Sequence, residues 1–90
     1  MLTPVYTKQF LKDLKRSQKR AKDLSKFKAV AERLLTTQAL SETYKDHKLV
    51  GNYAGRRECH IEPDWLLIYK ETEDQIIFER MGTHSDLFKK

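Results

Sequence analysis

Several kinds of residue are scarce in this chain. Its 90 residues include one cysteine, two prolines and three glycines. A lone cysteine closes no internal disulfide, so a disulfide-stapled scaffold is excluded and a reducing cytoplasm is expected. Cys59 itself leaves two readings open: a nucleophile, or a small buried side chain alternating with Arg57 and Ile61 in a strand-like run. There is no Gly/Pro-rich linker, low-complexity tract or internal repeat, and residues 1–90 read as one domain. Long apolar runs are missing as well. No stretch approaches the ~20 residues of a membrane span. Met1 to Phe10 lacks the apolar centre of a signal peptide. No membrane partner is expected.

Acidic residues are scarce in one half only. Residues 1–40 hold ten basic and three acidic residues, a net of +7. Residues 41–90 hold eight basic and ten acidic, a net of −2. The whole chain carries +5. A basic excess of this kind favours nucleic acid or another acidic partner without choosing between them.

The hydrophobic spacing predicts an order of elements. Leu2 to Tyr6 is a strand candidate, and Thr7 can cap a helix running to about Arg20, with Phe10, Leu11 and Leu14 on one side. After a turn near Ala21–Asp23, Leu24, Phe27, Ala31, Leu34 and Leu35 follow helical spacing. The two helices make an αα-hairpin. Lys15, Arg16, Lys19 and Arg20 lie among the basic residues on its other faces. They read either as a solvated surface or as a phosphate-contacting ridge. Residues 40–55 look loop-like. Strands are expected at Arg56–Ile61, Trp65–Lys70 and Gln75–Met81, joined by hairpins. The expected fold class is α+β: an N-terminal strand and αα-hairpin packed on an antiparallel meander, with a short C-terminal turn or helix.

Regular hairpins would set the register. A four-residue loop at Glu71–Asp74 pairs Leu67 with Phe78 and Trp65 with Arg80. A two-residue loop at Pro63-Asp64 pairs His60 with Leu67. One face then carries Arg56, Glu58, His60, Trp65, Leu67, Tyr69, Ile76, Phe78 and Arg80. The other carries Arg57, Cys59, Ile61, Leu66, Ile68, Ile77, Glu79 and Met81. The second face is richer in aliphatics and is expected to pack on the helices. The first is expected to form a concave binding surface.

Histidine is scarce too, yet its three copies all have polar or aromatic neighbours: His47, His60 and His84. Histidine titrates near neutral pH without help, which makes it the natural proton carrier. Metal-free RNA scission needs a base for the 2′-hydroxyl, an acid for the leaving 5′-oxygen and positive charge on the phosphate. The histidines can move the protons, Arg80 can fork the phosphate, and Asp64 can orient a histidine or act as a base. Trp65, Phe88 and Tyr53 offer flat faces for unstacked bases. Each has a structural alternative: a strand end in solvent for Arg80, a core or rim aromatic for Trp65, a turn residue for Asp64, a C-terminal pin for Phe88. Zinc-type ligand spacings and paired cysteines are missing, so no metal and no cofactor are expected.

Three blocks carry a resemblance: residues 44–51 (YKDHKLVG), 57–69 (RECHIEPDWLLIY) and 80–88 (RMGTHSDLF). In order and spacing they resemble the YafQ branch of the RelE/ParE toxin superfamily, and the N-terminal helices match in pattern. The resemblance implies a RelE-like fold and a bacterial type II toxin–antitoxin toxin. It further implies a metal-independent endoribonuclease that cuts mRNA, with the ribosomal A site as a common setting. A cognate antitoxin would silence it, and operator DNA would be reached only through the antitoxin complex. Active-site roles are implied for His47, His60, Asp64, Trp65, Arg80, His84 and Phe88, with His84 as general acid. The base stays open among His47, His60 and Asp64. Two alternatives remain: a superfamily toxin that binds a protein such as gyrase, and a non-catalytic RNA-binding domain.

Overall fold

In a computed structural model describing residues 1–88, the chain follows the order β1 (Thr3–Tyr6), α1 (Lys8–Lys19), α2 (Leu24–Leu35), β2 (His47–Lys48), β3 (Arg57–Glu62), β4 (Trp65–Glu71), β5 (Gln75–Gly82) and α3 (His84–Leu87). The five strands form one sheet in the order β1-β5-β4-β3-β2. β1 runs parallel to β5, and the other neighbours are antiparallel. The α+β architecture expected from the sequence is present. β2 is an addition, a two-residue edge strand inside the segment expected to be loop.

The helices begin where side chains satisfy free N–H groups. Thr7 accepts the Phe10 N–H at 3.0 Å, and Asp23 accepts the Ser25 N–H at 3.0 Å. α2 buries Phe27, Val30, Ala31, Leu34 and Leu35. α1 buries Phe10, Asp13 and Ser17, while Leu11 is exposed. The inward stripe of α1 is therefore half polar, which departs from the apolar side expected. Its reason lies at the edge of β5. β1 pairs with β5 only as far as Phe78. Beyond that point α1 side chains take over the strand's free backbone groups. Thr7 Oγ1 donates to the Glu79 carbonyl at 3.0 Å, Asp13 accepts the Met81 N–H at 3.0 Å, and Arg16 donates to the Met81 carbonyl at 3.2 Å.

Two bulges correct the expected register. On β3, His60 pairs with Leu66 but Glu62 with Trp65, leaving Ile61 as the extra residue. On β5, Phe78 pairs with Tyr69 but Arg80 with Ile68, leaving Glu79 extra. Glu71 pairs with Ile76, so the four residues between the paired positions are 72–75 rather than the expected 71–74, and Lys70 faces Ile77 instead of Gln75. The face that meets the helices carries Trp65, Leu67, Tyr69, Ile76 and Phe78, together with Cys59, Ile61 and Met81. Phe10, Phe27 and Phe78 pack there with ring centroids 5.5–5.7 Å apart. The opposite face holds Leu66 and Ile68, covered by Leu87 with Leu49 and Tyr53. This reverses the expected assignment. The mixed aromatic face is the helix-side core, and the aliphatic pair lies under the histidines.

Candidate active site

Three short elements carry the histidines to one surface. His60 sits on β3 opposite Leu66, so it shares the face of Leu66 and Ile68. His47 sits on edge strand β2 opposite Glu58. His84 opens α3, whose cap Thr83 accepts the Asp86 N–H while Asp86 accepts the Thr83 N–H. The rings form a row. His47 and His60 are 6.2 Å apart between centroids, His60 and His84 5.7 Å, and His84 and Phe88 6.5 Å. Tyr53 meets Phe88 edge-on at 5.8 Å. A groove of about 480 Å³ runs beside the row, lined by Thr43, Tyr44, Lys45, His60, Ile61, Glu62, Pro63 and His84.

Two ring nitrogens, Nδ1 of His84 and Nδ1 of His47, make short hydrogen bonds that orient their rings. Asp64 Oδ1 accepts from His84 Nδ1 at 2.6 Å and from the His84 backbone N–H at 2.9 Å. Those two bonds hold the Asp64 carboxyl below its ordinary value, the backbone bond contributing most. With Nδ1 donating, Nε2 is the nitrogen left for a substrate. His47 Nδ1 donates to the Lys45 carbonyl at 2.6 Å, because a carbonyl can only accept. Lys45 adopts the left-handed conformation with φ of 48°. Beside it, Asp46 accepts from the Tyr69 hydroxyl at 2.7 Å and from the Arg57 fork at 3.1 and 3.2 Å. Burial and Asp46 push the Tyr69 phenol upward, so it remains a donor. The His47 loop is thereby tied to the sheet.

Arg80 reaches round the edge of β5. Its Nε donates to Asp13 Oδ2 at 2.9 Å and its Nη2 to Asp13 Oδ1 at 3.4 Å. The buried Asp13 carboxylate raises the guanidinium's already high pKa, and the Tyr53 hydroxyl adds to this. Trp65 is elsewhere. It is only 1% exposed, packs in the helix-side core, and has Lys22 Nζ 5.6 Å above its ring. The expectation that Trp65 shares an open face with His60 and Arg80 is corrected by the bulge at Ile61. Arg16 and Arg20 are engaged internally. Arg16 Nη2 meets Asp13 at 3.1 Å and Asp86 at 3.6 Å, and Arg20 Nη1 meets Asp86 at 2.7 Å. Lys15 and Lys19 are exposed, with no ion pair among the described residues. Cys59 is buried and its thiol is pushed well up by burial, which sets aside the nucleophile reading.

A family model for the bacterial toxin of type II toxin–antitoxin systems, YafQ, matches residues 2–89. The chain belongs to the YafQ toxin family. The mRNA interferase toxin YafQ of Escherichia coli strain K12 is 49% identical over 84 residues, covering 92% of this chain and 91% of that protein. The toxin of the E. coli DinJ–YafQ toxin–antitoxin complex is 46% identical with a TM-score of 0.89, covering 97% of each chain. A metal-bound toxin from Helicobacter pylori is 43% identical with a TM-score of 0.92, covering 98% of this chain and all of that one. The fold is accordingly the RelE-like fold of YafQ toxins, and the protein is a toxin of a type II toxin–antitoxin system.

Within this YafQ-family fold, the sequence had placed one further residue without giving it a role. Glu58 is 4% exposed. Its Oε1 lies 3.4 Å from His47 Nε2 and 3.3 Å from His60 Nε2, and its Oε2 is buried without a partner. The available signal was the alternation of Glu58 and His60 on one strand. Among the described residues, no group of three or more His, Cys, Asp or Glu side chains is arranged to hold a metal ion. The arrangement can move protons between three imidazoles and hold an anion at a tethered guanidinium.

Proposed function

We propose that this toxin is an endoribonuclease that cuts mRNA without a metal. The 2′-hydroxyl attacks the adjacent phosphorus, the P–O5′ bond breaks, and the products are a 2′,3′-cyclic phosphate and a 5′-hydroxyl. The observation that carries this reading is the 2.6 Å His84–Asp64 bond, which fixes the ring so that its imidazolium form presents Nε2–H to protonate the departing O5′. Asp64 is the orienting group, since a carboxylate held low and bonded to His84 is a poor base. His60 lines the same groove as His84, which favours it over His47 as the base. Arg80 supplies the positive charge to the phosphate, Phe88 a face for a base, and Trp65 supports the sheet from behind. Lys15 and Lys19 contact RNA phosphates. Arg16 and Arg20 serve the scaffold that holds them.

The substrate setting we propose is mRNA in the ribosomal A site, in the bacterial cytoplasm, with residues 1–90 acting as one domain. Lys89 and Lys90 lie outside the described residues. No helix among those residues is long and apolar enough to cross a membrane. The DinJ complex of the E. coli relative supports neutralisation of this toxin by a cognate antitoxin. Repression of its own operon would act through that complex.

The test maps RNA ends with and without ribosomes. Wild type should cleave in the presence of chelator and leave cyclic phosphate ends. His84→Ala should fold normally and cleave roughly 10²–10⁴-fold more slowly, with growth arrest lost. Full toxicity in folded His84→Ala would sink the acid assignment. Cleavage abolished by chelator would replace it with a metal-dependent mechanism. Intact RNA with impaired supercoiling would favour a gyrase-binding toxin.

A further inference from the structure

We propose that Asp13, on α1, is the positioning residue for Arg80. The inference rests on the ribonuclease mechanism proposed above. Asp13 is completely buried. Its carboxylate collects Gln9 Nε2 at 3.2 Å, Arg16 Nη2 at 3.1 Å, the Met81 N–H at 3.0 Å, and Arg80 through Nε at 2.9 Å and Nη2 at 3.4 Å. Capping the Met81 N–H needs only a neutral acceptor, and burying a full charge for that purpose would be costly. A carboxylate between two guanidiniums is suited to fixing cations.

The manner of contact matters. Arg80 is held side-on, through Nε and one Nη2 hydrogen. The end-on edge, with one parallel donor each on Nη1 and Nη2, is not used by Asp13, and this edge matches two oxygens of a phosphate. An untethered arginine on a strand would sample many rotamers, whereas this one is fixed before substrate arrives. The bulge at Glu79 puts Arg80 on the face of Leu66 and Ile68, the face that also carries His60. Tyr53, one of the groups that raise the Arg80 pKa, packs its ring on Phe88, which leads on to His84. The same stripe of α1 also secures the acid's helix, because Arg16 and Arg20 both meet Asp86. α1 is thus a common mount for the phosphate clamp and the proton donor.

The experiment is a double-mutant cycle of Asp13→Asn and Arg80→Ala on the full chain. It reads single-turnover cleavage, affinity for the same RNA carrying 2′-O-methyl at the scissile position, and thermal melting. A misplaced clamp should slow cleavage about 10²-fold. RNA affinity should change by less than about threefold, because the phosphate lysines remain. In the Arg80→Ala background, Asp13→Asn should slow cleavage by no more than about twofold, since the cycle reports coupling. A purely structural Asp13 would instead give equal losses in both backgrounds, and that result overturns the proposal. So does wild-type cleavage by folded Asp13→Asn where Arg80→Ala is slow, a result that leaves the ribonuclease mechanism standing. Wild-type cleavage by Arg80→Ala removes the clamp and the proposal together. If Asp13→Asn does not fold, Asp13→Glu restores the charge one methylene further out. Reduced cleavage by a folded Asp13→Glu supports the positioning role, and wild-type cleavage overturns it.

Discussion

Gly82 lies buried where β5 passes between α1 and α3. A Cβ added there would come 2.8 Å from Arg16 Nη2 and 2.9 Å from both Cβ and Oδ2 of Asp86. The arginine end could shift, but Asp86 Cβ belongs to the capped start of α3 and has less freedom. Gly82→Ala is expected to cost about 1–3 kcal/mol, as overpacking does. Urea unfolding at neutral pH measures it, and an unchanged midpoint would show that the junction relaxes freely. Single residues were also where the sequence spoke most clearly and failed most instructively. Histidine and Asp64 were legible because their chemistry travels with the residue type. Glu58 was not, since a carboxylate on a strand reads as solvent-facing, and only the β2–β3 pairing buries it between two imidazoles. Asp13 was hidden for a related reason. Its partner Arg80 is 67 positions away.

At the scale of elements, existence and order were legible and register was not. Periodicity finds helices and strands because it reflects which side meets a core. A bulge adds one residue with no local mark in composition. The extra residues Ile61 and Glu79 each change which side chains share a face, and together they bring His60 and Arg80 to one side while sending Trp65 to the other. α3 allows a prediction from its charge. Arg20 above all, with Thr83 and Arg16, holds the Asp86 carboxyl well below its ordinary 3.8. A depressed folded pKa gives stability that is complete above the unfolded value and fades as pH falls through it toward the folded one. Asp86→Asn should therefore lose about 1 kcal/mol at pH 7, through the weakened cap and ion pair. The gap to wild type should narrow between about pH 5 and pH 3. Urea midpoints at those pH values test this, and a gap that stays constant down to pH 3 would assign the loss to packing alone.

Over the whole molecule, the uneven charge acquires a direction. α1 turns Asp13, Arg16 and Arg20 toward β5 and α3, and leaves Lys8, Lys12, Lys15 and Lys19 exposed. Those lysines sit at helical intervals on one stripe. The basic residues of α1 are thus two populations, guanidiniums paired within the fold that fasten the site and outward ammonium groups open to an acidic partner. Composition could not separate them, because pairing depends on segments far apart in the chain. Function should separate them cleanly. Replacing Lys15 and Lys19 together by glutamate should weaken RNA binding and flatten its dependence on log salt by about 1–2, the share of two phosphate contacts. Cleavage at saturating RNA should stay within about twofold of wild type, because neither lysine touches the histidine row. Arg20→Ala should instead leave the salt slope unchanged and lower the melting temperature. Fluorescence anisotropy across a salt series, paired with thermal melts, distinguishes the two. A slope unaffected by the lysine pair would place the RNA track on another surface and leave the α1 stripe as ordinary solvated helix.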